Sequence, residues 1–341
     1  MSEKEAAPPK LRPSRLKRLF IRLAVITAMV GVVGGLAGYL FAENLRHQDG
    51  PHDEAVLVTL DLGDGRFSIK HKLFSAGVIS HPLHLDIAAF MAWGGFRPLA
   101  GEYRVPPKAS LVEIIALFNS GKTYQRRLTI IEGWRGYEVM QAINSAEGLG
   151  SVILRPPDEG SVFPDTYYYT KGMDRRELLA RMQAKMELEL AQIWADRQAG
   201  LPYASPQDLL IMASIIEKET GLASERALVA GVFVNRLDKK MRLQSDPTVA
   251  YGLGLDGDLP ATLSKDDLNK AHRWNTYRLT GLPAGPIANP GAEALLAAAH
   301  PQETEYLYFV ADGKGGHNFA KTLDAHNRNV RIYRKSLSQA E

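Results

Sequence analysis

The first pattern along the chain is an unbroken apolar one. From Leu23 to Ala42 the sequence reads LAVITAMVGVVGGLAGYLFA, twenty residues without a charge. As a helix rising about 1.5 Å per residue it spans about 30 Å, the hydrocarbon thickness of a bilayer. Cleaved signal peptides carry shorter apolar regions, about 7–15 residues, before a small-x-small site. Leu40-Phe41-Ala42 is a poor site of that kind, so the run predicts an uncleaved transmembrane helix over 23–42. Gly31 with Gly35, and Gly34 with Gly38, are small-xxx-small pairs at which helices can pack, although glycine is common in membrane helices in any case.

After a polar linker at 43–55 the periodicity alternates between strand and helix. Val56–Leu62 alternates with period two and turns at Gly63-Asp64-Gly65. Helical patterns follow over 67–79 and 83–93, divided at Pro82, and then a strand around 101–105. Ser110 predicts the N-cap of a helix over 111–119, with Glu113 completing a capping box. Strand, helix, helix, strand resembles the order of LysM-like peptidoglycan-binding modules; a spacer domain without a ligand fits the same order. A second series begins at Arg126: a strand over 126–132, a helix from the Glu132-Gly133 step through Ala146, and an aromatic loop or short strand at 160–169. A long amphipathic helix over 175–199 closes at Gly200-Leu201-Pro202.

Charge changes the reading of this layout. The formal charge is +3, but residues 1–22 hold Lys4, Lys10, Arg12, Arg15, Lys17, Arg18 and Arg22 against Glu3 and Glu5, which leaves the remaining 319 residues at −2. A near-neutral body lacks the footprint of a nucleic-acid binder, and no nucleic acid is expected as a partner. The basic tail 1–22 places the N-terminus in the cytoplasm and everything after Glu43 across the membrane. Arg22 at the membrane edge can snorkel. With no cysteine, disulfides, thiolate metal sites and cysteine nucleophiles are excluded.

The helix after Pro202 carries the chemistry. Ser205 as N-cap, Pro206 at the first position and Asp208 at the third open it, and Gly221 is a natural residue to end it. On a wheel of about 100° per residue, Ser214, Glu217 and Lys218 share one arc, while Leu209, Met212, Ile215 and Ile216 share the opposite one. Glu219 falls among the apolar group. Burial there raises a carboxyl's pKa and keeps it protonated for use as a general acid. An ion pair between Glu219 and Arg226 is the alternative, and Glu217 reads as solvated or salt-bridged.

The stretch ASIIEKETGLASER (213–226) resembles the endolytic murein transglycosylases of the MltG/YceG type. So do VFVNRL (232–237), MRLQSDPTVAYG (241–252), WNTYRLTGLPAGPIANPG (274–291), AAAHP (297–301), YLYFVADGKGGHNF (306–319) and FPDTY (163–167). The resemblance runs from the anchor to the C-terminal helix. It implies a lyase that cleaves the β-1,4 bond between N-acetylmuramic acid and N-acetylglucosamine without water, with Glu219, the second glutamate of the E-K-E triplet, as acid and then base. It also implies a 1,6-anhydro product, no cofactor, no metal, and a role in terminating strand elongation, with peptidoglycan synthases as candidate partners beside the glycan strands. Candidate substrate-binding residues are Tyr167, Gln244, Asp246, Thr248, Tyr251, Asn275, Tyr277 and His317, since amides suit N-acetyl groups and aromatic rings cover sugar faces. Asp246-Pro247 and Asn289-Pro290 also mark turns.

Three other motifs fail on context. Lys314-Gly315-Gly316 lacks the ending of a phosphate loop, and Gly252-x-Gly254-x-x-Gly257 runs into Asp258-Leu259-Pro260 where a helix is needed. His81 and His84 have no third ligand and read as helix-entry residues. The expected architecture is α+β: tail 1–22, transmembrane helix 23–42 in the cell inner membrane, linker 43–55, LysM-like module 56–125, and a periplasmic α+β catalytic domain 126–341. A water-using hydrolase with Asp246 or Glu217 as second carboxylate, and a catalytically silent wall-binding scaffold, are the competing readings.

Overall fold

The computed structural model describes residues 15–255, 259–260 and 262–337. Most of the basic tail, including Lys4, Lys10 and Arg12, lies outside the described residues, as do Gly257 and Asp258. Two compact units divide between Tyr124 and Gln125.

The first unit contains α1 (Arg15–His47), β1 (Val56–Leu60), α2 (Arg66–Ser75), α3 (Pro82–Met91), β2 (Gly101–Val105) and α4 (Leu111–Ser120). α1 is the one described helix long and apolar enough to cross a membrane, and its apolar stretch is exposed. The helix extends beyond the apolar run at both ends; past Ala42, Arg46 pairs with Glu43 at 2.8 Å and Leu45 enters the core. β1 and β2 pair antiparallel, with Val58 opposite Tyr103. Alternation turns Val58 and Leu60 inward onto Ile69, Leu73, Leu85 and Phe118. The order strand, helix, helix, strand is therefore present.

Local signals fix the helix ends. His81 Nδ1 accepts from Leu83 N at 3.2 Å, ahead of Pro82 at the first helical position. Ser110 Oγ accepts from Glu113 N at 3.3 Å, and Glu113 Oε2 accepts from Ser110 N at 2.8 Å. Ser110→Ala is expected to destabilise this unit by about 1 kcal/mol, read as a lower denaturation midpoint. An unchanged midpoint would mean that solvent satisfies those amides equally well.

The second unit contains β3 (Arg126–Thr129), α5 (Gly136–Ser145), β4 (Thr166–Tyr169), α6 (Arg175–Asp196), α7 (Pro206–Glu219) and α8 (Ala223–Asp238). It continues with α9 (Asp246–Leu253), α10 (Lys265–Asn269), α11 (Ala292–Ala299), β5 (Tyr308–Ala311), β6 (His317–Ala320) and α12 (Leu323–Leu337). β3 pairs antiparallel with β4, and β5 with β6. β3 ends at Thr129, short of the expected Glu132, and the chain turns at Gly133, whose φ is +77°.

α7 is the spine of the larger core. Every residue from Leu209 to Ile216 is buried, with α6, α8 and α11 packed against the helix. The two-faced wheel is thus corrected: α11 reads AEALLAAA, and its small side chains let a second helix cover the face assigned to solvent. The ending of α7 differs too. Thr220 caps it in an extended conformation (φ −141°), so Gly221 supplies no left-handed turn.

Candidate active site

Glu219 is the last residue of α7, where the helix emerges from the core into a cavity of about 610 Å³. Gln244, Asp246 and Tyr277 line the same cavity, as do Tyr308, Phe309 and His317 of the β5–β6 hairpin and one face of α12. Removal from water pushes the Glu219 carboxyl up to about 7. Ser245, His317 and Arg236 pull it down and Asp246 pushes it further up. The Ser245 hydroxyl is buried and completes no hydrogen bond with fixed geometry, so it is a donor waiting beside the carboxyl.

Protonation of Glu219 has a stability consequence. Folded, the group holds its proton to about 7; unfolded, it releases it near its ordinary value of 4.5. The stabilisation is therefore complete below the unfolded value and is lost as pH rises through the folded one. Glu159, half-buried and also raised to about 7, acts in the same direction. Thermal unfolding of the full chain in detergent is expected to show a midpoint that falls between about pH 5 and about pH 8. Glu219→Gln should reduce that fall, leaving the shares of Glu159 and of Glu217, which burial also raises; an identical fall in both chains would count against a protonated Glu219.

The loops around the cavity are held by buried polar side chains. Thr248 Oγ1 donates to Ser245 O at 2.6 Å and meets Thr276 Oγ1 at 2.8 Å. Asn275 Nδ2 donates to Leu268 O at 3.0 Å and Lys270 O at 2.6 Å, and its Oδ1 accepts from Tyr277 N at 2.9 Å. Both residues are fully enclosed, which corrects the expectation that they touch substrate: their polar atoms are spent on the loops. Tyr167 is also in a core, 6 % exposed, with its hydroxyl donating to Phe163 O at 2.6 Å. It does not line the Glu219 cavity.

The remaining candidates are brought together. Gln244 sits in the left-handed region at φ +50°, a conformation non-glycine residues adopt only where the surroundings enforce it. Tyr277 donates its hydroxyl to Asp246 Oδ1 at 2.6 Å. His317 Nδ1 lies 2.7 Å from Glu225 Oε2, and its backbone N donates to Glu225 Oε1 at 2.9 Å. Tyr251 instead lines a second cavity of about 450 Å³, which shares Asp246 with the first.

Arg226 does not pair with Glu219. Its Nη2 lies 3.4 Å from Glu217 Oε1 and 3.8 Å from Glu132 Oε2, while Glu217 Oε2 accepts from Gly291 N at 2.9 Å. Glu217 is thus the buried, salt-bridged glutamate that ties α7 to α8 and to the start of α11. Glu132 also crowds the same glycine: a Cβ on Gly291 would lie 1.9 Å from Glu132 Oε1. Ser245 shares the turn-like motif of Gln244, Asp246 and Thr248, whereas Arg236, Glu225 and His326 carry no sequence signal of a site. Arg236 lies inside VFVNRL, and nothing in its spacing points to a cavity.

A profile of the YceG-like family matches residues 58–332. An endolytic murein transglycosylase from Bacillus subtilis (strain 168) is 39% identical over 54% of this chain and 51% of its own length. A protein of the same name from Streptococcus pneumoniae serotype 2 (strain D39 / NCTC 7466) is 27% identical over 93% of this chain and 65% of its own. The matches therefore span about half to just under two thirds of those curated relatives. The crystal structure of a YceG-like protein from Listeria monocytogenes superposes with a TM-score of 0.52 at 26% identity, covering 81% of this chain and 98% of that one.

Proposed function

The chain belongs to the YceG-like family, and from that premise we propose that it is a membrane-anchored endolytic peptidoglycan lytic transglycosylase. The observation that carries the reading is a single raised carboxyl, Glu219, at the edge of an open cavity with polar and aromatic walls. Glu219 protonates the oxygen bridging N-acetylmuramic acid to N-acetylglucosamine as that bond breaks, and positive charge develops at the muramic acid C1. The resulting carboxylate then takes the proton of the same sugar's C6 hydroxyl, which attacks C1 and closes a 1,6-anhydro ring. Proton, bond and leaving group balance without water, metal or cofactor.

Gln244, Tyr277 and His317 contact the sugars in this reading, and Asp246 stands at the junction of the two cavities. Thr248 and Asn275 hold the loops. Adjoining cavities suit a chain that continues on both sides of the scissile bond, as internal cutting requires. α1 anchors the chain with its N-terminus in the cytoplasm and the second unit in the periplasm, where cutting near the bilayer would end strand elongation beside the synthases. The strand–helix–helix–strand unit acts as a LysM-like glycan contact. A hydrolase is the second reading, because Asp246 supplies another carboxyl to the cavity. Mass spectrometry of purified strands digested by the full chain separates them: anhydro-muramic ends support the lytic route, and reducing ends replace it by hydrolysis.

A further inference from the structure

The bond-breaking chemistry leaves one wall of the cavity unused. His326 and Arg334 of α12 line it together with Arg236. Arg236 is 7 % exposed, yet its guanidinium donates only to backbone carbonyls, those of Leu307, Leu243 and Arg242. Among the described residues Arg334 makes no ion pair. The His326 ring stacks on Tyr308 at 5.3 Å between centroids, and its Nδ1 is enclosed without a hydrogen-bond partner.

Among the described residues neither carboxyl of the same cavity forms an ion pair with Arg334. Asp246 accepts from Tyr277, and Glu219 is the proton carrier. Arg334 is exposed at the cavity wall, and a guanidinium with no ion partner beside a cavity favours an incoming anion. The N-acetylated sugar rings of the glycan are neutral. The polymer's carboxylates lie on the muramic acid side arm, either along the peptide stem or on the lactyl group once a stem has been removed. Arg334 is eight residues beyond His326 on α12, about 12 Å along the helix axis. A wall of that length reaches past a group attached directly to the sugar.

Resting on the lytic reading above, we propose that Arg334 and His326, with Arg236 behind them, form a carboxylate subsite for the peptide stem of the muramic acid being cut. Charge-assisted hydrogen bonds from a guanidinium fork suit such a carboxylate. The subsite makes the enzyme prefer stem-bearing strands.

The test measures binding by the full-length Glu219→Gln chain in detergent, so that turnover does not interfere. Three soluble strand preparations are compared: stems intact, stems intact with carboxylates converted to methylamides, and stems removed to leave the lactyl carboxylate. Intact strands should bind about tenfold more tightly than methylamidated ones. Arg334→Gln in the same background should bring that ratio close to one, and Arg334→Lys should restore part of it. A ratio near one in the parent, or one that Arg334→Gln does not alter, overturns the subsite while the lytic reading stands. Stem-free strands bound as tightly as intact ones overturn the stem assignment in favour of the lactyl group. Failure to bind any of the three overturns the lytic reading and the subsite with it.

Discussion

Glu219→Gln is expected to lower strand cleavage by about three orders of magnitude while leaving the chain folded, since general acid–base participation is worth about 100- to 10,000-fold. Glutamine preserves the side chain's volume and its acceptor oxygen beside Ser245, but has no proton to give to the bridging oxygen. Because the folded chain holds the carboxyl protonated to about 7, the neutral amide imitates its resting charge. Loss of activity is thus separated from loss of structure. Glu219→Asp keeps the acid but draws it back from the cavity, and should retain a small residual rate. Separation of soluble muropeptides after equal digestion times reads both variants. Cleavage by Glu219→Gln at the parent's rate would remove Glu219 from the mechanism.

Arg226→Met is expected to cost about 3 kcal/mol of folding stability, because breaking a buried ion pair strands the remaining charge. Arg226 lies between Glu217 and Glu132, and the Glu217 side chain is 6% exposed. Burial already raises Glu217, with Gly291 N and Arg226 holding it down. Without the guanidinium, the folded chain must bury a bare carboxylate or take up a proton. The double variant Glu217→Met with Arg226→Met should recover much of the loss, as an apolar pair of similar volume tolerates the same site. Urea unfolding of the parent, single and double variants measures this. A loss below about 1 kcal/mol would show a pair screened by solvent in the way of surface bridges.

The features legible in the sequence were those with local causes. Ser110 with Glu113, Pro82 after His81, and Ser205 with Pro206 each mark a helix start through groups within a few residues, and each cap is present. The glycine-rich turn before His317 likewise lies between two paired strands. Glu219 stands out by residue type, an acid among Met and Ile. Gln244, Asp246, Tyr277 and His317 stand out as polar or aromatic residues in motifs and do line its cavity. Arg236 does not stand out, because it comes from a separate element and only the tertiary fold brings it to the carboxyl. A wheel shows one helix and knows nothing of what covers it; hence the sequence of α7 reads as two-faced although α11 packs against the helix. Asn275, Thr248 and Tyr167 mislead for a related reason. Amides, hydroxyls and phenols that suit a sugar groove suit a buried loop staple equally well, and composition does not separate the two.

Digestion of purified strands by the full chain in water labelled with heavy oxygen tests the central claim most directly. If Glu219 delivers and then removes a proton while the sugar's own C6 hydroxyl closes the ring, the new muramic acid ends carry no label and are anhydro, and the Glu219→Gln chain forms none. Label at the muramic acid C1 would contradict this, showing water as the nucleophile and directing attention to Asp246 as the second carboxyl of a hydrolase.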